Sequence, residues 1–186
     1  MMKIVHRVNT IESLRKVNPE YGVEVDLSGD SNGNVYMQHE PFESGELFED
    51  FLKEYHHSFI ILDIKKERIE FEVLRLIQKY GVKDFFFLDC SFPMIYMLTS
   101  KGIKDVAIRF SEFEGLDTVR NMSGKANWVW VDTFTKNPLT QRIVNEIKGL
   151  GYKICFVSPE LQGQPEKIEQ YLEEIKDYNL EAICAD

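Results

Sequence analysis

The run Ser58-Phe59-Ile60-Ile61-Leu62-Asp63-Ile64-Lys65 is followed by a helical pattern over Lys66–Tyr80, a glycine at Gly81, and a second apolar run, Asp84-Phe85-Phe86-Phe87-Leu88-Asp89-Cys90-Ser91. A strand in which both parities are apolar is buried on both faces, as parallel sheets require. The same rhythm of strand, helix, glycine and strand extends in both directions. Candidate strands are Lys3–Val8, Gly22–Ser28, Ser58–Lys65, Asp84–Ser91, Asp105–Ser111, Asn127–Phe134, Tyr152–Ser158 and Glu181–Asp186. Between them fall helical patterns near Thr10–Val17, Ser44–Tyr55, Lys66–Tyr80, Pro93–Ser100, Gly115–Met122, Pro138–Gly149 and Pro165–Tyr178, with Gly81, Gly102 and Gly151 placed to end helices. Eight strands in alternation predict a compact (β/α)8 (TIM) barrel, one domain over residues 1–186, lacking only the last helix. An open doubly wound sheet fits less well. No glycine follows the first strand at Arg7-Val8-Asn9-Thr10, and neither a GxGxxG nor a Walker-type phosphate loop is present.

One feature breaks the rhythm. Asp30-Ser31-Asn32-Gly33-Asn34 is a turn-rich cluster, and the alternating Val35-Tyr36-Met37-Gln38-His39 follows it, so an extended excursion after the second strand is expected to return His39 towards the mouth.

The composition narrows the function classes. With 31 acidic and 22 basic residues the net charge is -9, which opposes binding to nucleic acid or an anionic membrane surface. There is no apolar run of membrane-spanning length and no signal-peptide core, so stable membrane insertion is not expected and a cytoplasmic location is. Cys90, Cys155 and Cys184 lack the CxxC spacing of a zinc site and read as buried thiols. His56-His57 at a helix end reads as surface, and Trp128 and Trp130 read as core.

The chemistry gathers at the strand ends. Residues two apart on a strand share a face, so Glu24 with Asp26, and Asp63 with Lys65, project together from neighbouring strands. Three carboxylates brought that close repel unless a cation lies between them, and oxygen ligands select a hard ion, Mg²⁺ or Ca²⁺. Singly, each carboxylate would also suit a structural ion pair with Arg7, Lys65 or Arg109. His6 and His39 supply imidazoles able to exchange protons near neutral pH, although either alone would equally suit a core or surface role.

In order along the chain, His6-Arg7, Asn9-Thr10, Gly22-Val23-Glu24-Val25-Asp26, Asn32-Gly33-Asn34-Val35, His39-Glu40 and Leu62-Asp63-Ile64-Lys65 resemble the glycerophosphodiester phosphodiesterase family, whose pattern reads HRG, ENT, GxExD, DG, HD and LEIK. Ser91-Phe92 and the closing Asp186 are weaker echoes. The resemblance implies a metal-dependent diesterase of lipid-derived substrates. In it His6 and His39 are the acid/base pair, Glu24, Asp26 and Asp63 hold Mg²⁺ or Ca²⁺, and Arg7 and Lys65 hold the phosphate of a small-molecule phosphodiester, with a cyclic phosphate as intermediate or product. Arg109 is a further phosphate candidate from a later strand end, and Asp89, Asp132 and Asp186 are candidates for the rim. Departures are specific: Val8 stands for the glycine of HRG, Glu40 for the aspartate of HD, Asp63 for the glutamate of LEIK, and the family's helical insertion after the second histidine is missing. The site is therefore expected to be open. The alternative is a catalytically weakened barrel that binds a phosphorylated ligand or a partner; a sugar-phosphate isomerase or aldolase on the same fold ranks last.

Overall fold

The computed structural model describes all residues from Met1 to Asp186, in two compact units, Ile4–Met97 and Met1–Lys3 with Leu98–Asp186. The first holds the end of β1 (Met2–Val5), then α1 (Ile11–Leu14), β2 (Gly22–Gly29), β3 (Val35–Met37), α2 (Phe48–Glu54), β4 (Phe59–Ile64), α3 (Glu70–Lys79), β5 (Phe85–Leu88) and the start of α4 (Phe92–Ser100). The second holds β6 (Ala107–Phe110), α5 (Leu116–Asn121), β7 (Trp128–Val131), α6 (Gln141–Gly149), β8 (Lys153–Val157), 3₁₀ turns at Pro159–Gln162 and Pro165–Lys167, α7 (Ile168–Ile175) and β9 (Ala182–Ala185).

The strand order is β5-β4-β2-β1-β9-β8-β7-β6, and β3 pairs antiparallel with β2. The pairs β1–β2, β2–β4, β4–β5, β6–β7, β7–β8 and β8–β9 are parallel. This is the strand order of a (β/α)8 (TIM) barrel, the fold class expected from the alternation. The predicted excursion is β3, folded back on β2 with Leu27 opposite Met37.

Strands are shorter than their sequence patterns for a local reason. Arg7 (φ 55°) and Asp89 (φ 57°) adopt left-handed backbone, so β1 stops at Val5 and β5 at Leu88, before the charged residues. Likewise α3 starts at Glu70 rather than Lys66, because Arg68 has φ 79°. Helix α6 starts at Gln141 because the Thr140 hydroxyl caps it, accepting from the Ile143 N–H at 3.3 Å. Gly81, Gly102 and Gly151 all have positive φ and do terminate helices.

Phe86 and Phe87 in one unit, and Val129, Ile154 and Phe156 in the other, are fully buried. Trp128 and Trp130 are also core residues, as expected. Two expectations need correction. Cys155 and Cys184 are buried, but Cys90 is only half-buried because it follows the turn at Asp89. His57 is not a plain surface residue, since its Nε2 lies 3.1 Å from the Val17 carbonyl oxygen and its Nδ1 is enclosed. Phe86→Ala is expected to cost about 3–5 kcal/mol in urea unfolding, from lost transfer energy and the cavity left behind. A cost below about 1 kcal/mol would contradict the packing described.

Candidate active site

Strand pairing places the acidic residues. In the β2–β4 register Asp26 lies opposite Asp63 and Glu24 opposite Ile61, so the three carboxylates rise on one face of two adjacent strands. Glu24, Asp26 and Asp63 are all buried, and each offers an oxygen within 4.8 Å of the others. Glu24 Oε1 and Asp63 Oδ1 are enclosed without a hydrogen-bond partner. Burial first, and then the charges of Asp26 and Asp63, push the Glu24 carboxyl well above its ordinary range. Burial and then the Asp89 charge push Asp63 up to about 7, against the pull of Lys65.

Cations and amides hold the rest of the cluster. Lys65 Nζ lies 2.7 Å from Asp63 Oδ2, 3.2 Å from Asp26 Oδ1 and 3.6 Å from Asp89 Oδ2. Its own burial disfavours the charge, but those three carboxylates outweigh it and hold the ammonium protonated. The left-handed turn at Arg7 aims its backbone N–H at Glu24 Oε2, 2.6 Å away, and Arg7 Nε lies 3.7 Å from Asp26 Oδ2. His6 Nε2 stands 3.9 Å from Glu24 Oε2.

Asn9, to which residue patterning gave no role in the site, grips Asp26 twice. Its Nδ2 donates to Asp26 Oδ2 at 2.6 Å and its Oδ1 accepts from the Asp26 N–H at 2.9 Å. The segment around Val8 is likewise well held: Val8 is buried and its N–H donates to the Glu24 carbonyl oxygen at 2.8 Å. Asp89, read from sequence only as a rim candidate, is a partner of Lys65. The signal for Asn9 was the resemblance alone, and for Asp89 its position at the end of an apolar run.

His39 follows β3, with Nδ1 2.8 Å from Glu40 Oε1, and it lines one cleft with Lys65. The Gln38 N–H donates to the Asp26 carbonyl oxygen at 2.9 Å, tying this segment to β2 beside the carboxylates. Gly45 makes its return possible, because a Cβ there would lie 1.7 Å from the Met37 carbonyl oxygen. In the other unit Arg109 Nη1 donates to Asp132 Oδ2, and Trp130 Nε1 donates to Asp132 Oδ1 at 3.0 Å. Burial, opposed by Arg109, raises the Asp132 carboxyl to about 6.

No protein-family model matches the chain, and no curated protein matches it in sequence. Solved structures share its fold. One, assigned as a glycerophosphoryl diester phosphodiesterase from Agrobacterium tumefaciens str. C58, superposes with a TM-score of 0.69 over 99% of this chain and 93% of its own, at 11% identity. Another, a glycerophosphodiester phosphodiesterase from the same organism, gives 0.68 over 99% of this chain and 96% of its own, at 13% identity.

The donor set suits a hard divalent cation: three carboxylates in reach of one another, with two enclosed oxygens that have no other partner. Saturating Mg²⁺ or Ca²⁺ is expected to raise the melting temperature by about 5 °C or more, a gain that EDTA reverses and Asp63→Asn abolishes. An equal gain in Asp63→Asn would exclude this ligand set. Gly45→Ala is expected to speed hydrogen–deuterium exchange across residues 38–46 and leave β5 unchanged; unaltered exchange in that segment would count against the close approach at Met37.

Proposed function

We propose that this chain is a metal-dependent phosphodiesterase acting on a small-molecule glycerophosphodiester or a related diester, as one domain. The observation that carries the reading is the buried trio Glu24, Asp26 and Asp63 with two unpartnered oxygens, beside His6, Arg7 and Lys65, with His39 lining a cleft that Lys65 also lines. The fold shared with solved glycerophosphodiester phosphodiesterases supports it. Glu24, Asp26 and Asp63 would hold Mg²⁺ or Ca²⁺, which supplies positive charge to the phosphoryl oxygens.

The remaining work falls to side chains. Arg7 and Lys65 orient the phosphate and balance charge as it develops, with Arg109 an additional candidate. A hydroxyl neighbouring the ester oxygen attacks phosphorus. One imidazole of His6 and His39 accepts its proton, while the other protonates the departing alkoxide, leaving a cyclic phosphate that water then opens. Glu40 at His39 Nδ1 fixes the ring so that Nε2 is the atom free to exchange the proton. His6 Nε2 stands 3.9 Å from Glu24 Oε2, which sets its ring at the edge of the carboxylate trio.

A second reading, a barrel that binds a phosphorylated ligand or a partner without turnover, draws on one observation. The Lys65 ammonium already lies among Asp26, Asp63 and Asp89, where it offsets part of the charge a metal would neutralise. No helix is long and apolar enough to cross a membrane, and a net charge of -9 argues against a nucleic-acid partner; a cytoplasmic location is part of the same proposal.

Glycerophosphodiester turnover followed by phosphorus NMR tests the assignment and identifies the product. His6→Ala and His39→Ala are each expected to lower kcat by about 10²–10⁴-fold with the melting temperature kept. Phosphate binding that survives both substitutions, with no turnover by the wild type, would establish the second reading instead.

A further inference from the structure

The cleft that contains His39 and Lys65 has a volume of 530 Å³ and extends to Tyr36, Gln38, Phe42 and Lys66. That is the size range of small-molecule sites, and more room than a phosphodiester linkage with one glycerol requires. The two lysines on its wall differ sharply in their partners. Lys65 is committed to three carboxylates, whereas Lys66 Nζ donates only to the Gly29 carbonyl oxygen, at 2.6 Å, and no carboxylate pairs with it.

Acidic residues outnumber basic ones 31 to 22 in the chain, yet none of them neutralises this lysine at the cleft wall. Its anchor is specific. Gly29 ends β2 and packs so closely on Ile69 that a Cβ would lie 2.7 Å from Ile69 Cγ2, and its carbonyl also receives the Tyr36 hydroxyl at 3.5 Å. The ammonium is thus tethered by one donor on the wall of the cleft and keeps two N–H groups for an incoming acceptor. Phe42 lines the same cleft, fully exposed and on left-handed backbone (φ 69°), and offers an apolar surface for a carbon skeleton.

We propose that Lys66 is a specificity residue: the alcohol portion of the substrate carries a second anionic group, phosphate or carboxylate, which Lys66 receives while the diester lies at Lys65 and His39. This rests on the diesterase reading above. Charge-assisted hydrogen bonds to such a group account for a selectivity of about tenfold.

The test uses three diesters that differ only at one end: glycerophosphoglycerol, the same compound with a terminal phosphate, and glycerophosphoglycerate with a terminal carboxylate. With Mg²⁺ present, the wild type is expected to show a KM about tenfold lower for one or both diesters with an anionic end than for glycerophosphoglycerol, whose end is uncharged, and the better of the two names the anion. Lys66→Met should collapse that ratio to about one, and Lys66→Arg should retain it. Equal KM values for all three in the wild type, or a ratio unchanged in Lys66→Met, would overturn the proposal. If no diester is turned over, the diesterase reading falls, and calorimetric titration with the same three compounds decides the subsite on its own. Preference for a compound with an anionic end that Lys66→Met removes supports it, and equal affinities defeat it.

Discussion

Carboxylates buried side by side are the constraint on which the site depends. Asp26 and Asp63 face each other across β2 and β4, Glu24 lies two residues earlier on the same face, and burial makes their mutual repulsion costly. Strand pairing forbids them to move apart, so the surroundings must supply positive charge and hydrogen-bond donors. Lys65, Arg7, the Arg7 N–H and Asn9 each answer part of that demand. What they leave unanswered is Glu24 Oε1 and Asp63 Oδ1, two enclosed oxygens without a partner in a trio whose spacing could hold a metal ion.

The same demand explains local backbone geometry that is otherwise costly. Left-handed conformations at Arg7 and Asp89 are each disfavoured for residues with a Cβ, by about 1 kcal/mol or more. At Arg7 the turn delivers an N–H to Glu24, and at Asp89 it follows the last residue of β5, bringing a carboxylate to Lys65. Both turns end strands earlier than the apolar pattern would, so charged residues that read as strand termini stand instead at the start of loops. Loops held by a rigid sheet are where barrels place their functional groups.

Much of this was legible before any coordinates. Period-two patterning in Glu24 and Asp26 put both on one face, and apolar runs such as Phe85–Leu88 marked strands buried on both sides. The turn cluster at residues 30–34 announced the excursion that carries His39. Asn9 was legible only as part of a resemblance, since an asparagine after a strand is common and its double contact with Asp26 depends on the spacing between β1 and β2. The difference between Lys65 and Lys66 was not legible at all, because adjacent lysines look alike until their neighbours are known.

By itself, then, the sequence determined the alternation of strands and helices, the face each acidic residue occupies and the order of the residues resembling a diesterase, because these follow from backbone periodicity and chain order. Tertiary structure alone decided which carboxylate stands against which cation, which oxygens are left without partners, and which of two adjacent lysines is held by carboxylates. Those outcomes rest on the register between β2 and β4 and on the turns at Arg7 and Asp89, and register is a relation between segments distant in sequence.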